Sequence, residues 1–137
     1  MKLLQLVYMS EAAQTFTREQ VTELVATSHI NNRQKGITGA LYLGGKHFIQ
    51  ALEGADDVVI KLYAKILDDP RHKNIHLVVV RPLAERLFAA WGMGLVSNLK
   101  REIDVSQVLK LDPDRVGGWN HAGWDEILYS FREHVRE

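Results

Sequence analysis

The stretch ITGALYLGGKHFIQALEG, residues 37–54, limits the possible folds more than any other part of the chain. Two runs rich in β-branched and aromatic residues flank Gly44-Gly45, which predicts a hairpin on a two-residue turn. In that register Gly39 lies opposite Gln50. Strand alternation places Phe48, Gln50 and Leu52 on one face, with Ile49 and Ala51 on the other. Both faces are largely apolar, so neither can be left to water. A chain carrying this hairpin must cover its sheet on both sides.

The remaining patterns supply the cover. Residues 3–9 read as a buried strand, with Leu4, Leu6 and Tyr8 on one face and Leu3, Gln5 and Val7 on the other. Thr17 suits a helix N-cap, Gln20 completes a capping box, and Phe16 and Val21 are spaced for a hydrophobic staple. The helix stripe runs through Val21, Leu24 and Val25 to Ser28, Asn31 and Asn32, and Gly36 supplies the stop. After Gly54, Asp56 and Asp57 favour the first turn of a second helix with the stripe Val59, Leu62, Tyr63 and Ile66, ended by Pro70. Residues 75–80 and 91–96 predict two further strands, the last with Trp91, Met93 and Leu95 on one side. The first six elements run β-α-β-β-α-β, an α+β ferredoxin-like arrangement with both crossover helices on one sheet face, and a fifth strand follows. A short helix at 105–111 precedes breakers at Asp112-Pro113 and Gly117-Gly118. Trp124, Ile127, Leu128, Phe131 and Val135 then recur at helical spacing. These C-terminal helices are expected on the opposite sheet face.

Composition excludes several classes of function. The chain has 137 residues, enough for one buried core, and no cysteine, so disulfides, thiolate nucleophiles and thiolate metal sites are absent. Formal net charge is zero, which gives no general pull toward nucleic acid or anionic membrane. The apolar run near the N-terminus is too short for a signal core or a span. A cytoplasmic protein is expected. His72 and His76 stand four apart but beyond Pro70, off any shared helix face, so no metal site is expected; His29, His47 and His121 read as solvated. Glu53 and Glu85 form no obvious carboxylate pair, and no phosphate loop, dinucleotide fingerprint or nucleophile elbow appears. Trp91, Trp119 and Trp124 read mainly as core.

The polar residues assigned to the buried side are unusual. Leu24 and Ile66 would form apolar walls between the two helices and the sheet. Tyr8 and Gln50 would rise from the sheet, with Ser28, Asn31 and Asn32 at the end of the first helix. Buried polar groups need partners, since each one left unsatisfied costs ~1–3 kcal/mol. Two arrangements meet that need: mutual hydrogen bonding in a closed core, or a polar frame around a flat heteroaromatic ligand. An isoalloxazine ring suits the second. Its faces are apolar, and its edge alternates carbonyl and N–H groups that amide side chains match without net charge.

Several segments together resemble one family. LVYMS around Tyr8, NNRQKGITGALYL from Asn31, FIQALEG around Gln50, DDPRHKNI from Asp68 and PLAERLFAAWGMG ending at Gly94 are similar, in order and spacing, to BLUF domains, the flavin-binding blue-light sensors. The resemblance covers roughly residues 1–97, which defines a flavin-binding domain followed by a C-terminal helical extension over 98–137. It implies that Tyr8 donates an electron to the excited flavin and that Gln50 relays the proton, then changes its hydrogen bonds. It implies that Asn32 holds the carbonyl edge, with Asn31 and Ser28 in neighbouring contacts. Asp69, Arg71 and His72 match the segment beside the ribityl chain and distal carbonyl. Trp91 and Met93 fall on the strand that reports the switch. The cofactor implied is FAD, with FMN or riboflavin as substitutes.

About forty residues after the resemblance are few for a further output domain. The expected output is therefore a separate protein effector or a change of homo-oligomer, and the expected activity is sensing rather than catalysis. Two other readings remain at this level. One is a small hydrolase of the acylphosphatase kind, using Arg71 and the asparagines. The other is an interaction module without ligand.

Overall fold

A computed structural model describes residues 2–96 and 121–136. The helix expected at 105–111, both breaker pairs, Trp119, the side chain of His121 and the boundary at 97/98 lie outside the described residues. The strands are β1 (Leu3–Ala12), β2 (Thr38–Gly44), β3 (His47–Ala55), β4 (His72–Pro82), β5 (Gly94–Val96) and β6 (Val135–Arg136). The helices are α1 (Arg18–Gln34), α2 (Asp56–Leu67) and α3 (His121–His134). Among the described residues the strands form one sheet in the order β4-β1-β3-β2-β5-β6. The first four strands and two helices have the ferredoxin-like connection expected, and β5 extends the sheet parallel to β2.

Each crossover helix forms for a local reason. Thr17 and Gln20 make both bonds of the capping box at the start of α1. At its end, Gly36 has φ +71°, which lets the chain turn back while the Asn32 carbonyl accepts from Lys35 and Ile37. Asp56 and Asp57 sit in the first turn of α2. Both helices pack on the face that carries Leu6, Tyr8, Leu41, Phe48 and Leu52. The opposite face carries Val7, Ile49 and Ala51 and is covered by Trp124, Leu128 and Phe131 of α3. Leu128 and Phe131 are fully excluded from water; burying a side chain of this size contributes ~1.5–3 kcal/mol.

Four sequence expectations need correction. The hairpin turns on Gly45-Lys46, with φ +58° at Gly45, so the pairing shifts by two residues. Gln50 therefore pairs with Leu41, and Gly39 with Leu52, where a Cβ would strike the Ala51 carbonyl oxygen. A shift of two leaves every side chain on its expected face. Strand β4 runs the full length of β1, with register shifts between Val7 and Tyr8 and between Met9 and Glu11. Regular β5 begins only at Gly94, so alternation does not govern residues 91–93. Trp91 accordingly packs with the α3 side of the sheet, and Met93 with the α1/α2 side. Finally, α3 stops at His134 because Val135 joins the sheet, pairing with Val96.

Candidate functional site

A cavity of about 300 Å³ lies between α1, α2 and the sheet. Its apolar walls are Leu24 from α1 and Leu62 and Ile66 from α2, with Leu41 and Phe48 contributed by the sheet. Tyr8 and Gln50 line it from adjacent strands, facing each other across the β1–β3 ladder. Ser28, Asn31 and Asn32 line it from the last turns of α1, and Asp69, Arg71 and His72 from the α2–β4 connection. The ten residues expected around a ligand are thus brought to one cavity. Phe16, Lys35 and Lys65 also line it. Neither lysine was marked by periodicity, because both lie off the apolar stripes.

The centre of the site is a buried chain of three side chains. The Tyr8 hydroxyl donates to Gln50 Oε1. Gln50 Nε2 donates to Met93 Sδ at 3.5 Å. A thioether can only accept, so the amide nitrogen must face Met93, and that leaves the amide oxygen for the phenol. Of Trp91 and Met93, it is Met93 that touches Gln50, and neither lines the cavity. The phenol is also ringed by aromatics, with Tyr63 at 5.7 Å and His72 at 5.9 Å between ring centroids. Burial pushes the Tyr8 pKa far above the ordinary phenol value, Tyr63 and Asp69 add to the rise, and Arg71 opposes it.

His72 lines the cavity with its ring fixed at both nitrogens. Its Nε2 lies 2.7 Å from the Ile66 carbonyl oxygen, which can only accept, so Nε2 donates. Its Nδ1 lies 2.8 Å from Ser10 Oγ. The ring ties the end of α2 to β1 beside Tyr8. At the cavity mouth Arg71 donates through Nε to both Asp69 oxygens at 3.0 Å, and that hydrogen bond holds the Asp69 carboxyl below the usual range. Lys35 and Lys65 make no ion pair among the described residues.

The donor set fits a flat ligand with alternating acceptor and donor edge. Asn32 is 4% exposed and gives one amide hydrogen to the Gly92 carbonyl at 2.9 Å. Its Oδ1 has no partner among the described residues, an acceptor whose burial costs ~1–3 kcal/mol unless something donates to it. Ser28 and Asn31 make no side-chain hydrogen bond among the described residues, although both line the cavity. Tyr8 and Gln50 satisfy each other, but the asparagine end does not close on itself. Of Ser28, Asn31 and Asn32, only Asn32 is buried; Ser28 is half-buried and Asn31 exposed.

Comparison with known proteins agrees in sequence and in fold. The profile of the family described as sensors of blue-light using FAD matches residues 3–94. The chain is 37% identical over 83 residues to photoactivated adenylate cyclase subunit beta of Euglena gracilis, covering 61% of this chain and 10% of that protein. It is 33% identical over 105 residues to the blue light- and temperature-regulated antirepressor BluF of Escherichia coli (strain K12), covering 76% of this chain and 26% of that one. The dark-state structure of BlrB, a BLUF protein, superposes with a TM-score of 0.74 at 27% identity over 96% of each chain. The chain thus matches a tenth and a quarter, respectively, of the two longer relatives. No helix among the described residues is long and apolar enough to cross a membrane.

Proposed function

The chain belongs to the BLUF family of flavin-binding blue-light photoreceptors, and from that premise we propose that Tyr8 and Gln50 are its photochemical pair. The observation that carries this is the buried Tyr8–Gln50–Met93 chain at the edge of a cavity with an unmatched asparagine acceptor. A bound flavin supplies an electron acceptor that becomes strongly oxidising when it absorbs blue light. Asn32, Asn31 and Ser28 would hold its polar edge, Leu24 and Ile66 would pack on its faces, and Arg71 and His72 would border its tail. FAD is the flavin we assign, after the family's own description.

Tyr8 does the rest of the chemistry with Gln50. A buried phenol is neutral in the dark, and on losing an electron it becomes a strong acid. Its proton would pass along the existing hydrogen bond to Gln50 Oε1 while Gln50 hands one on toward the bound cofactor, so that electron and proton both leave Tyr8 and no net charge remains on the amide. The amide then rearranges, by rotation or tautomerisation, and exchanges its bond to Met93 Sδ. Electron and proton return to Tyr8, so the cycle is closed and nothing is consumed. The switch moves no net charge, so its output is mechanical and needs a packing element with two arrangements.

The hydrolase reading is disfavoured because Arg71 is held by Asp69 through Nε and Nη2, which takes it from an acyl phosphate. We place the sensory unit at residues 1–97 and the helical extension at 98–137. It acts in the cytoplasm and signals through a separate protein or a change of homo-oligomer, as relatives named as cyclase subunits and an antirepressor suggest. The test is Tyr8→Phe and Gln50→Ala. Both should bind flavin, Tyr8→Phe should lose the light-induced red shift, and Gln50→Ala should not switch normally. A normal reversible shift in Tyr8→Phe would defeat the donor role.

A further inference from the structure

Glu53 has no solvent exposure and no part in the photochemistry above. It stands on β3 three residues after Gln50, so it projects to the other face of the sheet. Its Oε1 accepts from the Phe88 amide at 2.8 Å, and its Oε2 from the Leu87 amide at 3.1 Å and Gln5 Nε2 at 2.9 Å. The chain of bonds continues outward. Gln5 Oε1 accepts from Arg81 Nε at 2.8 Å, and Arg81 Nη2 pairs with Asp125 Oδ1 on α3 at 2.5 Å. Arg86 reinforces the inner end, donating to the Glu53 carbonyl at 2.9 Å and to Thr38 Oγ1 at 3.0 Å.

The segment that Glu53 holds is the one the cavity also holds. Trp91 N donates to the Phe88 carbonyl at 3.2 Å, closing a turn that leads straight to Gly92 and Met93. Asn32 grips Gly92, Gln50 touches Met93, and His29 Nδ1 accepts from the Met93 amide at 3.3 Å. Residues 86–93 are therefore clamped from the cavity at one end and from a buried carboxylate at the other. A buried carboxyl group satisfied by three N–H groups adds little net stability over a well-packed apolar replacement. What it does add is a fixed register between the elements it joins.

Resting on the photochemical reading above, we propose that Glu53 is a positioning residue that couples the Met93 segment to helix α3, through Gln5, Arg81 and Asp125. When Gln50 exchanges its bond to Met93, the shift in residues 86–93 changes the grip on Glu53 and so the seating of α3. The experiment is amide hydrogen exchange of residues 121–134 in the full flavin-loaded chain, dark and under blue light. It is run on the parent, Glu53→Gln and Asp125→Ala. Asp125→Ala removes the acceptor for Arg81 at the partly exposed end of the chain, so it tests the idea even where Glu53→Gln folds poorly. Neither residue lines the cavity, so the red shift should survive in both. The parent should show a several-fold light-to-dark difference in α3 exchange, and each variant should lose most of it. A difference of parental size in both variants would overturn the proposal. So would no light-dependent difference in the parent, or faster exchange in dark and light alike with the ratio intact. Absence of the red shift in the parent would overturn the photochemical reading, and the coupling with it.

Discussion

Tyr8 shows how one position sets the conditions for its chemistry. Its pKa is raised chiefly by burial, so the phenol stays protonated through the range in which an exposed tyrosine begins to ionise. The amplitude of the light-induced shift should therefore be flat from neutral pH to about 10, the ordinary phenol pKa. An amplitude that titrates away below that value in a folded protein would contradict this. The sign for stability follows: the folded state disfavours the phenolate, so stability is retained below the ordinary pKa and falls as pH rises above it. Asp69 behaves oppositely. Its Arg71 hydrogen bond lowers its pKa, so its contribution is present above the ordinary carboxylate value and lost as pH falls through the lowered one. Arg71→Ala should move the Asp69 titration back up toward that ordinary value, measured by carboxyl chemical shift. An unchanged titration would show that the pair does not form in solution.

Elements carry the cover that the two-faced hairpin demands. Leu128→Ala in α3 should destabilise by ~2–5 kcal/mol in urea unfolding while leaving flavin affinity nearly unchanged, because α3 lies across the sheet from the cavity. Thr17→Ala should cost ~0.5–2 kcal/mol through loss of the capping box. That box was legible because it is a local code of two residues at fixed spacing. The turn was less legible: Gly44-Gly45 and Gly45-Lys46 both make a two-residue loop, and only the pairing along β2 and β3 chooses between them. The faces survived because the two registers differ by an even number. The placement of Trp91 was not legible, since alternation predicts faces only inside a regular strand and β5 starts three residues later.

For the molecule as a whole, the sheet is covered by α1 and α2 on one side, where the cavity lies, and by α3 on the other. Tyr8, Leu24, Ser28, Asn31, Asn32, Gln50 and Ile66 could be gathered from sequence because strand and helix periodicity point them to one side, whereas Asp69, Arg71 and His72, and the roles assigned to all ten, came from the family resemblance alone. The Glu53 chain was invisible to the same reasoning. Its members Gln5, Glu53, Arg81 and Asp125 are 48, 28 and 44 positions apart in sequence and meet only through sheet pairing and the packing of α3. Phe16, Lys35 and Lys65 escaped it too, being staple or off-stripe residues that only the closed fold brings to the cavity. The central claim remains that this cavity holds a flavin whose excitation draws an electron from Tyr8. Its most direct test is the visible absorption spectrum of the purified chain with flavin, recorded before and after blue light. We expect a yellow protein whose band shifts to longer wavelength and returns in darkness; a colourless protein, or a bound flavin whose band never moves, would contradict the account.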